Sequence, residues 1–181
     1  MKRALLGCLL AVAAGASLAA ATPREPSGYR TDDYGALVPA TLKGASVLST
    51  TKAFELWSQK AAVFVDVLPR PPKPAGLPKE AIWRDPPRQD IPGSLWLPDT
   101  GYGELAAQTQ RYFEDGLNRA TRQDKTKALV FYCRKNCWMS WNAAKRALSI
   151  GYTHVSWYPD GADGWAEAGK SLESREPEPR E

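Results

Sequence analysis

The chain has 181 residues, enough for one domain of ordinary size, and 43% of them are hydrophobic, as in globular proteins. Its 24 Lys and Arg against 20 Asp and Glu leave a formal charge of +4, too small to argue for a nucleic-acid partner. The single histidine, His154, excludes a two-histidine zinc site and a histidine-rich copper site.

Lys2 and Arg3 precede an apolar run of Ala, Leu and Val that ends in the small residues Ser17-Leu18-Ala19-Ala20-Ala21. Residues 1–21 therefore read as a secretory signal peptide cut after Ala21, and no membrane span is expected in the mature chain. Leu5-Leu6-Gly7-Cys8 resembles a lipobox, but three apolar residues before Gly7 are too few for a signal core. Cleavage removes Lys2, Arg3 and no acid, so the charge falls from +4 to +2. It also removes Cys8 and leaves Cys133 and Cys137 in an oxidising compartment, the periplasm of a Gram-negative cell.

Residues 22–43 form an irregular lead-in, with Pro23, Pro26, Gly28 and Gly35 in its first part. Leu37 to Leu42 and Ser46 to Leu48 read as short edge strands. Ser49-Thr50-Thr51 offers an N-cap to a short helix carrying Ala53, Phe54, Leu56 and Trp57. Ala61 to Leu68 is a continuous apolar run broken only by Asp66, the mark of a parallel strand buried on both faces. Residues 69–90 then hold seven of the fifteen prolines, with Trp83 among Arg and Lys. Such an insertion is extended and semi-rigid, either a flap over a site or a surface excursion.

Ile91 to Pro98 predicts a tight turn into a short strand, and Leu105, Tyr112, Phe113 and Leu117 predict a crossover helix over 102–119. Ala128-Leu-Val-Phe-Tyr-Cys133 is a third buried strand. Trp141, Ala144 and Leu148 recur beyond it at helical spacing until Gly151. Thr153 to Trp157 is another short strand, and Asp160 to Gly169 is a loop leading into a last helical turn. Residues 170–181 read as a tail, disordered from Glu173 onward. The alternation predicts an open α/β domain with a mostly parallel sheet and helices on both faces. Asp66 and Cys133 each close a buried run, so both fall at the carboxyl edge, where such sheets bind ligands.

At Cys133, N–H groups of the turn and of the following helix are expected to converge and favour a thiolate, with Arg134 and Lys135 adding positive charge. Cys133 and Cys137 are close enough in sequence for a disulfide across a turn. Three readings stay open: a nucleophile with its resolving partner in dithiol–disulfide or persulfide chemistry, a pair binding Cu(I) or a redox cofactor, and a structural bridge. Haem attachment is excluded, because Trp138 stands where a histidine must follow the second cysteine. Arg134, Lys135 and Asn136 are turn residues that become anion ligands where they face inward. Trp138 and Trp141, three apart, either form an aromatic pocket approached by Trp83 or fill the core. Asp66 reads as a support for the loop through backbone hydrogen bonds.

Asp66-Val67-Leu68, Asp90-Ile91-Pro92-Gly93-Ser94, Cys133-Arg134, Gly151-Tyr152 and Asp160-Gly161-Ala162-Asp163-Gly164-Trp165 stand in one order over roughly residues 44–169. In that order they resemble the landmarks of a rhodanese: D-V-R, G-H-I-P-G-A, C-R-x-G-x-R-S and a late G-G-x-x-x-W. The resemblance implies an open α/β rhodanese-like domain with residues 69–90 as its insertion. Rhodaneses close the active loop with an arginine. Here Trp138 or Met139 falls there, depending on register, and neither replaces a bidentate guanidinium. That departure argues against phosphatase activity and weakens thiosulfate sulfurtransfer. With Gly28-Tyr29-Arg30 and Pro39-Ala40-Thr41-Leu42, the C-x3-C-W stretch from Cys133 to Trp138 resembles the CXXXCW proteins associated with PQQ-dependent catabolism. That second resemblance implies a PQQ-dependent alcohol dehydrogenase or its cytochrome c as partner. Cys133 and Cys137 would be the catalytic pair, with Arg134, Lys135, Asn136 and Trp138 binding substrate.

Overall fold

The computed structural model describes residues 22–78, 80–84 and 86–180. The predicted signal peptide, residues 1–21, lies outside the described residues. Five parallel strands make one sheet in the order β1-β6-β5-β2-β4. They are β1 (Ser46–Val47), β2 (Val63–Asp66), β4 (Leu95–Trp96), β5 (Leu129–Tyr132) and β6 (Val155–Trp157), with β3 (Arg88–Asp90) outside this sheet. The two apolar runs become the two central strands, with Val63 opposite Leu129 and Asp66 opposite Tyr132. Every residue of β5 is buried.

Period-two alternation divides that burial between two layers. Leu129 and Phe131 of β5 join Val65 in a core closed by α2 (Ala107–Thr121) and α3 (Trp138–Ser149). Val130 and Tyr132 join Phe64 in a second core under α1 (Thr50–Ser58) and α4 (Gly161–Glu167). Helices therefore lie on both faces of a parallel sheet, as the alternation predicts. The Ser49 hydroxyl caps α1 by accepting from the Lys52 N–H. Helix α2 begins at Ala107, later than 102, because the preceding turn is held from outside. The buried Arg146 of α3 donates to the carbonyls of Thr100, Tyr102 and Gly103.

Two expectations fail for related reasons. Among the described residues Leu37 to Leu42 pairs with no strand; its carbonyls at Leu37 and Thr41 accept instead from the indole N–H groups of Trp138 and Trp141. Residues 173–175 are not disordered but form β7 (Glu173–Arg175), antiparallel to β3. Main-chain bonding orders both segments, and side-chain periodicity does not report it.

Candidate functional site at the carboxyl edge

Cys133 follows β5, and Cys137 is the residue before α3. Their Cα atoms are 6.4 Å apart and the two sulfurs are joined as a disulfide. The turn between them reverses through Asn136 at φ 52°, a left-handed conformation that asparagine tolerates. The Cys133 carbonyl accepts from the Ala162 N–H at 2.9 Å, which docks the start of α4 under the loop. Gly161 makes that approach possible: its φ is +56°, and a Cβ there would overlap the Cys133 carbonyl.

The expected anion cradle is not what the loop's N–H groups build in this disulfide state. The Lys135 N–H donates to Asp163 Oδ2 and the Trp138 N–H to the Tyr34 carbonyl. Cys133 Sγ is faced by the carbonyl oxygens of Arg134 and Cys137, each at 3.7 Å. The Lys135 ammonium is paired with Glu167 at 2.9 Å, away from the sulfurs. Arg134 is exposed at the rim of a cavity of about 570 Å³.

That cavity is an open cleft lined by the proline-rich insertion. Pro69, Pro71, Pro72, Pro86 and Pro87 line it together with Leu68, Trp96, Cys137 and Met139 and with Arg70, Arg88 and Arg134. The insertion is thus a wall of the site. Trp138 does not line the cavity: it is buried beneath the lead-in, its indole N–H donating to the Leu37 carbonyl and its ring edge-on to Trp141 at 5.4 Å. Trp83 is half-buried in the insertion and is not a lining residue. Met139 rather than Trp138 lines the cavity, from the first turn of α3. His154 is exposed beside Thr153, in keeping with a surface role.

Asp66 is fully buried, accepts from the Leu68 N–H at 2.7 Å and pairs with Arg88 Nε at 2.6 Å. Arg88 Nη2 in turn reaches the Cys133 carbonyl at 3.5 Å, so Asp66 supports the loop through Arg88. Next to it, Tyr132 donates its hydroxyl hydrogen toward Asp90 Oδ1 and has Ser94 Oγ at 2.7 Å. Burial pushes both carboxyls up. Arg88 and the Leu68 N–H pull Asp66 back, whereas Asp66's own charge pushes Asp90 further, to about 8. The ion pair with Arg88 favours the charge on Asp66, and burial beside that charge favours the proton on Asp90. Among the described residues the buried Asp90 Oδ2 has no hydrogen-bond partner, a poor setting for a full negative charge. Among the described residues, no group of three metal-ligating side chains is present. Arg88, Asp90, Tyr132 and Met139 were not singled out from the sequence as site residues. Asp90 was within reach, since it opens the D-I-P-G-S landmark.

A five-stranded parallel α/β domain with a cysteine loop at the carboxyl edge of its central strand defines a class of cysteine-loop proteins. Within that class the match is specific. A sequence model of the rhodanese-like domain matches residues 52–168, and the chain belongs to that family. No curated protein matches it. Among solved structures it is similar to a variant of EanB in complex with ergothioneine. The identity is 21% with a TM-score of 0.50, covering 82% of this chain and 36% of that one. It is also similar to the polysulfide-sulfur transferase homodimer of Wolinella succinogenes (17% identity, TM-score 0.44, 73% and 80% covered). A human single-domain sulfurtransferase gives 21% identity and a TM-score of 0.40, with 68% and 96% covered.

Proposed function

We propose that this protein is a secreted, periplasmic rhodanese-like accessory of PQQ-dependent alcohol catabolism whose Cys133/Cys137 loop carries sulfur and cycles between dithiol and disulfide. The observation that carries the chemical part is the Cys133–Cys137 bond at the edge of a cavity, at the carboxyl end of the sheet. In the reduced state the Cys133 thiolate takes a sulfane sulfur from a donor and becomes a persulfide. From thiosulfate, the sulfur–sulfur bond breaks and sulfite leaves with the electron pair. The Cys137 thiolate then attacks Cys133 Sγ, the disulfide forms, and the carried sulfur departs as hydrosulfide. A reductant, such as a thiol, resets the pair.

The link to PQQ-dependent catabolism, and to an alcohol dehydrogenase or its cytochrome c as partner, rests on the C-x3-C-W resemblance. Export rests on residues 1–21. Burial of both sulfurs favours a second reading: Cys133 is fully buried and Cys137 is 3% exposed. In it the bridge is structural and the protein is a binding module that docks a partner or, once reduced, carries a redox cofactor or Cu(I).

Peptide mass spectrometry of the mature protein, before and after mild reductant and then thiosulfate, separates the two. A bridge that opens readily, followed by a persulfide on Cys133, is the expected outcome. A bridge that resists mild reductant and takes no sulfur when forced open overturns the enzyme reading. Unchanged activity in cells of the Cys133→Ser variant would do the same.

A further inference from the structure

Resting on the reading that the bridge cycles, we propose that the sulfur an incoming thiol attacks is Cys137, and that this thiol is an apolar organic molecule bearing one acid group. The order of attack follows from which cysteine the cavity reaches. Cys137 lines it and Cys133 does not, although both belong to one disulfide. Cys133 is enclosed by the end of β5, by α4 docked on its carbonyl and by the loop itself.

The thiolate R–S⁻ forms a bond to Cys137 Sγ, the Cys133–Cys137 bond breaks, and Cys133 leaves as the thiolate with the electron pair. A second R–S⁻ attacks the R sulfur of the mixed disulfide and releases R–S–S–R, and Cys137 leaves as thiolate. Two thiols are oxidised to one disulfide, and the protein bridge is reduced to a dithiol by two electrons.

The substrate class follows from the walls. A cavity of about 570 Å³ suits an organic molecule rather than a small inorganic anion. Its prolines with Leu68, Trp96 and Met139 offer apolar surface that an inorganic ion cannot use. The guanidinium of Arg88 is already engaged by Asp66. Arg70 is held within the insertion by its own contacts, whereas Arg134, exposed at the cavity, has no carboxylate partner among the described residues and is the cation placed to meet a carboxylate or sulfonate.

The test uses the oxidised protein with 4-mercaptobenzoate and, as the same ring without the acid, 4-methylbenzenethiol. Each rate of bridge opening is divided by that thiol's rate on 2-hydroxyethyl disulfide. Arg134 and Lys135 separate the cysteines on tryptic digestion, so an alkylation quench assigns the mixed disulfide to one peptide. The expected result is an adduct on Cys137 with Cys133 alkylated. The normalised preference for the carboxylate should be about tenfold, the equivalent of one charge-assisted hydrogen bond. In Arg134→Ala that preference should fall toward one. An adduct on Cys133, or no preference in the unaltered protein, overturns the inference and leaves cycling intact. A bridge that even dithiothreitol fails to open overturns the cycling reading and this inference with it.

Discussion

A carboxylate with no exposed surface needs a counter-charge, and Asp66 takes its own from Arg88 across 2.6 Å. Arg88→Met should therefore cost about 3–5 kcal/mol, because it leaves a buried charge without its partner. Urea denaturation measures this, and a loss under about 1 kcal/mol would show that Asp66 has another way to be satisfied. Asp90 gives a pH signature. An acid with a raised folded pKa keeps its proton in the folded chain where the unfolded chain has lost it. Its contribution is therefore fully present below about 4, declines as pH rises, and is gone above the folded value near 8. Asp90→Asn keeps an oxygen for the Tyr132 hydroxyl and removes the titration. Between pH 5 and 8 the variant should gain on the parent by up to about 1.4 kcal/mol per pH unit. Parallel stability profiles for the two would rule out a proton on Asp90.

At the scale of the element, α3 is positioned by segments that precede it by about a hundred residues. The lead-in accepts from the Trp138 N–H at Tyr34 and from two indoles at Leu37 and Thr41, and Asn142 holds both the N–H and the carbonyl of Arg30. This grip turns Trp138 inward and Met139 into the cavity. Of the two positions at the end of the loop, 139 therefore faces the cavity and 138 does not. Met139→Arg should raise kcat/KM for thiosulfate about tenfold by adding a charge-assisted contact beside Cys137. Trp138→Arg should instead bury a guanidinium under the lead-in and destabilise the fold by about 3 kcal/mol or more. The opposite ranking of the two variants would put the wrong residue in the cavity. On the other side of the loop, Gly161→Ala should cost about 2–4 kcal/mol, since Ala is strained at positive φ and its Cβ meets the Cys133 carbonyl. Sequence periodicity located α3 and the cysteine turn, but the choice between 138 and 139 depended on bonds to residues 34–41. Those bonds leave no trace in the hydrophobic pattern, because main-chain carbonyls make them.

For the whole molecule, the parallel sheet was legible because β2 and β5 are buried on both faces and must be apolar at every position but Asp66. The C-terminal segment was not, because its charges and prolines carry no periodicity, although its backbone closes the structure. Strand β7 pairs with β3 and the Glu178 N–H donates to the Trp96 carbonyl. The Tyr112 hydroxyl donates to the Glu178 carbonyl, and Arg180 meets Asp99 at 3.0 Å. Three of those anchors touch cavity-forming stretches: β3 carries Arg88, Trp96 is a lining residue, and Asp99 accepts from the Arg70 N–H at 3.4 Å. The segment is therefore a strap that holds the insertion against the cysteine loop. Removing residues 173–181 deletes several hydrogen bonds worth about 1 kcal/mol each, so the loss should be about 3–5 kcal/mol, or roughly 10 °C in Tm. The more discriminating readout is local. Limited trypsin digestion should cut at Arg84 faster in the truncated chain, and opening of the Cys133–Cys137 bridge by dithiothreitol should accelerate with it. If the insertion is cut at the same rate with and without the strap, the cavity wall stands on its own and the strap serves stability alone.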